Sequence, residues 1–176
     1  MLHTGEFKAG VPLVEKGLVH DPGNADLVSL LERLRAEFER AEKARLSGLS
    51  HEEMMKEEAN QLFKAARFED AIEKYTVAIN AITDKDAKVY IDCLNNRAAC
   101  YQQLSNFHAV VADASEVLER QPNNLKALLR RGLAFEGLEK YRSALADIRA
   151  VLAIDPTLDI ANKAQHRVGG VPLTLR

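Results

Sequence analysis

The chain is poor in several residue types that mark specialised classes of protein. Its 176 residues include no tryptophan, only two cysteines and only five prolines, and none of its apolar runs reaches 18 residues. The short apolar runs argue against a transmembrane helix. So few cysteines are typical of a reducing compartment, and the N-terminus lacks the basic and apolar stretches of a secretory signal. We therefore expect a cytoplasmic protein.

An excess of charge of one sign is also missing. The chain has 24 basic and 26 acidic residues, a net charge of −2, which argues against general binding to nucleic acid or another polyanion. Apolar residues make up 47% of the chain, enough for a packed core. Alanine and leucine are abundant, and both favour helix. The composition predicts a mostly helical globular protein.

The sequence repeats itself. Aromatic residues at Phe68, Phe107 and Tyr141 begin three similar segments, spaced by 39 and 34 residues. Pro122 and Pro156, which follow two of these segments, are again 34 residues apart. A 34-residue period is the length of the tetratricopeptide repeat (TPR), an antiparallel pair of helices. We predict an all-α solenoid, a right-handed superhelix of such pairs.

Each predicted repeat has a first helix and a second helix. The first helices carry a small residue, Ala59, Ala98 or Gly132, which lets a neighbouring helix approach closely. The second helices place apolar residues on one face at helical spacing. The predicted first helices cover 52–65, 87–104 and 124–138, and the second helices cover 68–83, 107–120 and 141–154.

The flanking segments resemble parts of further repeats. Residues 5–24 align without a gap to the second helix of the third repeat when Pro22 is laid on Pro156, which puts Phe7 in the place of Tyr141. Pro12 then falls near the first turn of that helix. Residues 24–45 form an amphipathic helix, either a capping helix or a short coiled coil.

These patterns predict three segments. Residues 1–50 form a partial repeat with a long capping helix, and we hypothesise that they end an upstream TPR domain. Residues 51–168 form a three-repeat domain whose cap, 156–168, turns Ile160, Ala164 and Val168 inward. Residues 169–176 are expected to be a loose tail.

The first helices carry a distinctive set of polar residues. In stacks of such repeats these helices line the concave face, so we expect functional side chains to project from them. They are, in chain order, Lys56, Asn60, Asn96, Lys126 and Arg130. In types and positions all five match the dicarboxylate-clamp TPR domains of chaperone partners, which the chain resembles from residue 52 to about 168. The segment 128–155 is most similar to clamp proteins related to the mitochondrial-import translocase and to the sperm-associated antigen family.

The resemblance implies a protein-binding co-chaperone or adaptor and not an enzyme. Its groove would bind the acidic Glu-Glu-Val-Asp tail of cytosolic seventy- or ninety-kilodalton heat-shock chaperones, with the five residues holding the terminal carboxylates. Lysine and arginine supply charge, and asparagine amides donate hydrogen bonds without adding more. Gln103 stands where the family often has another lysine. Possible secondary peptide contacts are Phe63, Ala99, Gln102, Gln103 and Arg131, the last equally suited to packing.

Other kinds of site have little support in the sequence. The histidines are scattered, and Cys93 and Cys100 lie on one helix face, as packing residues do, so we expect no metal and no cofactor. Nucleotide-binding glycine motifs are absent. Arg97 is interpreted as structural, and the acids Asp113, Glu116 and Asp147 as solvated helix faces. Two alternatives to the clamp remain: a TPR scaffold that binds an internal segment of a partner, and a targeting piece of a larger enzyme.

Overall fold

A computed structural model describes the backbone of residues 4–170 and the side chains of residues 9–170. This part of the chain forms nine α-helices and no strand. Their bounds are α1 Thr4–His20, α2 Ala25–Ser47, α3 His51–Lys64, α4 Phe68–Ala81, α5 Lys88–Gln103, α6 Phe107–Arg120, α7 Leu125–Gly137, α8 Tyr141–Ile154 and α9 Asp159–Gly169. The predicted all-α class and the predicted repeat helices are confirmed, with boundaries within two residues.

Three antiparallel pairs, α3–α4, α5–α6 and α7–α8, form the repeats, and α9 packs against α8. The small residues of the first helices lie where neighbouring helices cross, and Ala59 and Ala98 are fully buried. At Gly132 an added Cβ would lie 3.0 Å from Ile148 Cδ1, tighter than ordinary van der Waals contact. Close crossing therefore depends on a residue without a large side chain at this position.

The turn inside each repeat has the same backbone conformation. Ala66, Ser105 and Glu139 have positive φ angles of 57°, 55° and 57°. Each is followed by a backbone N–H that donates to a carbonyl five residues earlier, as in the Lys140 N to Phe135 O bond of 2.8 Å. This is the Schellman motif, which ends a helix and satisfies its last carbonyls.

The C-terminal helix differs from its prediction. It begins at Asp159 instead of 156, and Ile160 is 53% exposed, so the prediction that Ile160 faces inward is wrong. Ala161, Ala164 and Val168 fill the buried face at three- and four-residue steps, which turns the neighbouring position 160 outward. Of the predicted tail, residue 169 ends α9, and residues 171–176 lie outside the described part of the chain.

The chain divides into two compact units, Met1–Ser50 and His51–Arg176. In the first unit α1 packs on α2, with Gly10 and Gly17 facing Leu34 and Leu27, and α2 has no buried residue. Pro12 lies inside α1 and not in its first turn, because the helix already begins at Thr4. The side chain of Phe7 lies outside the described residues.

Two acidic residues predicted to be solvated are buried. Asp113 and Asp147 are 5% and 6% exposed. Asp113 accepts bonds of 2.9 and 2.7 Å from Arg97, and Asp147 accepts two of 2.8 Å from Arg131. The interpretation of these acids as solvated helix faces is therefore wrong. Their burial is tolerated because each carboxylate is paired through both oxygens.

Candidate functional site

A cavity of about 210 Å³ opens among α3, α4, α5 and α7. It collects three of the predicted carboxylate-binding residues, Asn60, Asn96 and Arg130, and two predicted secondary contacts, Phe63 and Ala99. The complete lining is Asn60, Phe63, Lys64, Tyr75, Asn96, Ala99 and Arg130. Residues from three successive first helices thus meet at one cavity.

Hydrogen bonds fix the two asparagines in this cavity. Tyr75 Oη donates to Asn60 Oδ1 at 2.5 Å, and Asn96 Nδ2 donates to the same oxygen at 3.0 Å. Tyr75 is 1% exposed, and burial raises the pKa of its hydroxyl, so that it remains a neutral donor. The Asn60 amide also donates to Glu57 Oε2 at 3.2 Å. Both amides are therefore oriented before any ligand arrives.

Arg130 is the unusual cation of the cavity. Its Nη1 is buried and has no hydrogen-bond partner among the described residues. Burial lowers the pKa of its guanidinium. In Arg97 the bonds to Asp113 outweigh the effect of burial and leave the pKa raised. A cation taken out of water without a counter-charge is unfavourable, and a carboxylate entering the cavity would relieve that cost.

The two predicted lysines do not line the cavity. Lys56 lies one helical turn before Asn60, and its Nζ is 3.1 Å from Asp92 Oδ2. Lys126 is exposed one turn before Arg130 and makes no ion pair within the described part of the chain. Three of the five predicted residues thus line the cavity, and each lysine lies one helical turn from one of these three.

The remaining predicted contacts differ in position. Gln102 is half-buried and Gln103 is exposed, and neither lines the cavity. The guanidinium of Arg131 is bonded to Asp147 and, at 3.2 Å, to Ser115 Oγ, both on second helices. Of its two proposed roles, the structure shows the packing one. Arg97, interpreted as structural, is likewise held between Thr76 and Asp113.

Sequence reasoning missed Tyr75, Lys64 and Asp92. Tyr75 lies on the buried apolar face of α4, and its hydroxyl nevertheless reaches Asn60. The hydroxyl of a buried tyrosine usually has a hydrogen-bond partner, so a tyrosine on an apolar helix face already indicates a polar residue opposite it. Asp92 lies four residues before Asn96, hence on the same helix face. Lys64 carried a comparable signal, being four residues after Asn60.

The described residues give little support for a reactive cysteine, a metal site or a membrane span. Cys93 and Cys100 are fully buried, and burial raises the pKa of each thiol to about 11, which disfavours the reactive thiolate. Among the described residues, histidine, cysteine and acidic side chains form no group that could hold a metal ion. None of the described helices is both long and apolar enough to cross a membrane.

Part of the chain is similar in sequence to known proteins. No family model matches the chain. Over 117 residues, 65% of its length, it is 40% identical to sperm-associated antigen 1A of Danio rerio and covers 27% of that protein. Over 124 residues it is 35% identical to human sperm-associated antigen 1, of which it covers 13%. The chain thus spans about a quarter or less of these relatives.

Solved structures share the fold. The TPR domain of Arabidopsis OM64 matches with a TM-score of 0.61 and 32% identity, over 66% of this chain and 93% of that one. The first TPR of Spaghetti (RPAP3), bound to the HSP90 peptide SRMEEVD, matches with a TM-score of 0.62 and 27% identity, over 67% of this chain and 90% of the other. The likeness covers both fold and sequence.

Proposed function

The chain belongs to the tetratricopeptide repeat family, and from that premise we propose that residues 51–168 bind the acidic C-terminal tail of a cytosolic heat-shock chaperone. The ligand is a Glu-Glu-Val-Asp type of chain end from the seventy- or ninety-kilodalton class. The protein is then a cytoplasmic co-chaperone or adaptor module and not an enzyme. The HSP90 peptide in the RPAP3 structure supports this choice of ligand.

One observation carries the proposal: Arg130 is half-buried at the cavity, its Nη1 is fully buried there, and it has no anionic partner among the described residues. Arg97 on α5 and Arg131 on α7, both on first helices, each hold a carboxylate through two hydrogen bonds. A planar guanidinium takes a carboxylate in the same way from a ligand. The terminal carboxylate of a peptide supplies the partner that Arg130 lacks in the described part of the chain.

The neighbouring residues suit the rest of an acidic chain end. Asn60 and Asn96 present fixed amides at the cavity that Arg130 lines, and Lys56 and Lys126 carry further positive charge one helical turn before Asn60 and Arg130. Charge-assisted hydrogen bonds contribute about 1.5–3 kcal/mol each. Because rigid helices hold the groups in place, little ordering is needed on binding. We expect micromolar affinity for a short peptide, roughly −8 kcal/mol.

Calorimetry with a short peptide tests this proposal. The pentapeptide Met-Glu-Glu-Val-Asp is titrated into the protein and compared with the same peptide carrying a C-terminal amide. We expect the amide to bind at least about tenfold more weakly, because the site reads a free carboxylate. Equal affinities would contradict the clamp and favour a scaffold that binds an internal segment. The titration is repeated with C-terminal peptides of the seventy- and the ninety-kilodalton chaperones, to compare the two classes.

A double substitution tests the residues themselves. We expect Lys126→Ala with Arg130→Ala to abolish measurable binding of the free acid and to leave the helical circular dichroism intact. The matched control is Arg149→Ala with Lys163→Ala, which removes the same two charges from exposed positions of α8 and α9. Binding by the first variant at the level of the control would refute the assignment.

We also propose that residues 1–50 are the second helix and capping helix of a further repeat. The loop 21–24 that joins α1 to α2 has four residues with proline second, like loops 121–124 and 155–158. Asn24 caps α2 by accepting a bond from Leu27 N at 3.1 Å, and Asn124 caps α7 by the same bond to Ala127 N. A shared loop and cap indicate a shared origin as repeat elements.

A further inference from the structure

We propose that Asp92 is a competitor built into the groove: its carboxylate holds Lys56 in the free protein, so that an acidic chain end must take Lys56 from it. This inference rests on the proposed function and deepens it. Asp92 sets how readily the groove accepts negative charge. Asp92 thereby becomes a specificity-determining residue of the same site.

The position of Asp92 follows from the register of α3 against α5. Lys56 and Asp92 are 36 residues apart, as are Asn60 and Asn96, and both pairs are joined by side-chain hydrogen bonds of 3.1 and 3.0 Å. The two bonds are one helical turn apart on the same pair of helices. Asp92 therefore lies on the groove side of α5, directly beside the asparagine pair at the cavity.

Asp92 offers Lys56 the same chemical group, a carboxylate, that the proposed peptide ligand would offer. The Asp92 carboxylate is at hydrogen-bond distance from Lys56. The Asp92 side chain is 38% exposed and Lys56 is 21% exposed, so water and a peptide can reach the pair. Binding then exchanges one carboxylate for another at Lys56, and the net gain is smaller than for an unpaired lysine.

In the third repeat, the position equivalent to Asp92 carries a cation. Lys126 occupies the place of Asp92, one 34-residue period further along the chain. It makes no ion pair among the residues that the structure describes. One helix position thus carries a cation in the third repeat and an anion in the second. Asp92 lowers the positive charge of the groove and disfavours strongly acidic chain ends.

Titration of Met-Glu-Glu-Val-Asp into Asp92→Asn tests the inference. Removing the competing charge should tighten binding about threefold to fivefold at about 50 mM salt. The gain should shrink at about 500 mM salt, because screening weakens the charge term. The matched control is Asp159→Asn, which removes the same charge from an exposed Asp–Lys pair on α9, 2.7 Å long. The control should change the affinity by less than about 1.5-fold.

A second background separates competition from a general charge effect. With Lys56→Met already in place, Asp92→Asn should improve binding by less than about twofold, because no ammonium remains to be released. A full gain in that background, or no gain or weaker binding in the single variant, would overturn the inference. If the wild-type protein binds the free acid no better than its amide, the proposed function itself fails, and the two failures are thereby distinguished.

Discussion

At the scale of residues, each repeat contains a charged pair between positions 16 residues apart, one on each helix. Arg97–Asp113 and Arg131–Asp147 have the same polarity, with the arginine on the first helix, and both aspartates are buried. The corresponding pair of the first repeat is reversed: Glu58 on the first helix accepts from Lys74 on the second at 3.0 Å. Its side chains are 59% and 52% exposed, so solvent screens this pair.

Burial therefore decides what each pair contributes to stability. We expect Asp113→Ala to lower the free energy of unfolding by about 3 kcal/mol, because it leaves the guanidinium of Arg97 buried without its carboxylate. Lys74→Ala, the matched change in the first repeat, should cost less than about 1 kcal/mol. Urea unfolding followed by circular dichroism measures both. Similar losses in the two variants would contradict this view.

The residues of the candidate site were only partly predictable. The resemblance to the clamp family picked out Asn60, Asn96 and Arg130, and the repeat pattern placed them on the first helices, which together line one cavity. The burial of Asp113 could not be predicted, since an acidic residue on a helix is usually solvated, and only the facing Arg97 makes its burial tolerable. Partners from different helices are fixed by packing register, which the periodicity of one helix does not reveal.

At the scale of elements, the turn within each repeat places an ordinary residue in the left-handed region. Glu139 is at the position after the α7 cap where glycine is usual, with φ of 57°. A side chain there is strained, since its Cβ approaches the neighbouring carbonyl. Ala66 and Ser105 are in the same situation. The Schellman hydrogen bonds that follow keep each turn in place despite this strain.

Glycine at this position should stabilise the protein. We expect Glu139→Gly to raise the free energy of unfolding by about 0.5–1 kcal/mol, less than the full strain because glycine also loosens the unfolded chain. The next residue provides the control: Lys140 has a φ of −86°, so Lys140→Gly relieves no strain and should destabilise. Thermal unfolding of the two variants should shift in opposite directions, and a shift of both the same way would show that the φ angle is not the cause.

Helix bounds were predictable because their signals are local. Pro122 and Pro156 follow helix ends, and the aromatic residues Phe68, Phe107 and Tyr141 each begin a second helix. The buried face of α9 was not predictable, because Ile160–Ala164–Val168 and Ala161–Ala164–Val168 both fit helical spacing, and only packing selects the second set.

At the scale of the whole molecule, the two compact units differ in burial. In 51–176, α5 alone buries seven residues, whereas α2 in 1–50 buries none. Buried contacts decide how rarely a helix opens. We expect the amides of α2 to exchange with deuterium at least about tenfold faster than those of α5, once intrinsic rates are allowed for. Hydrogen exchange with mass spectrometry on the full chain measures this, and equal protection of the two helices would contradict it.

The repeat architecture also has a regular offset between first helices. The side-chain bonds between α3 and α5 join residues 36 apart, and Arg167 on α9 bonds Glu136 on α7, 31 residues earlier. Both separations are three less than the repeat spacings of 39 and 34. This offset brings Asn60 to Asn96 and Lys56 to Asp92. The period predicts equivalent positions, whereas contact follows from the offset, which depends on how the pairs pack.

The reversed pair of the first repeat bears on misfolding. A chain built from similar helix pairs can exchange partners, joining the first helix of one repeat to the second helix of another, within one molecule or between two. Glu58 placed against Asp113 would set two carboxylates together, and Arg97 against Lys74 would set two cations together. Both arrangements are repulsive. The opposite polarity thus disfavours swapping of the first repeat with the second during folding, whereas the second and third repeats, which share a polarity, have no such protection from each other.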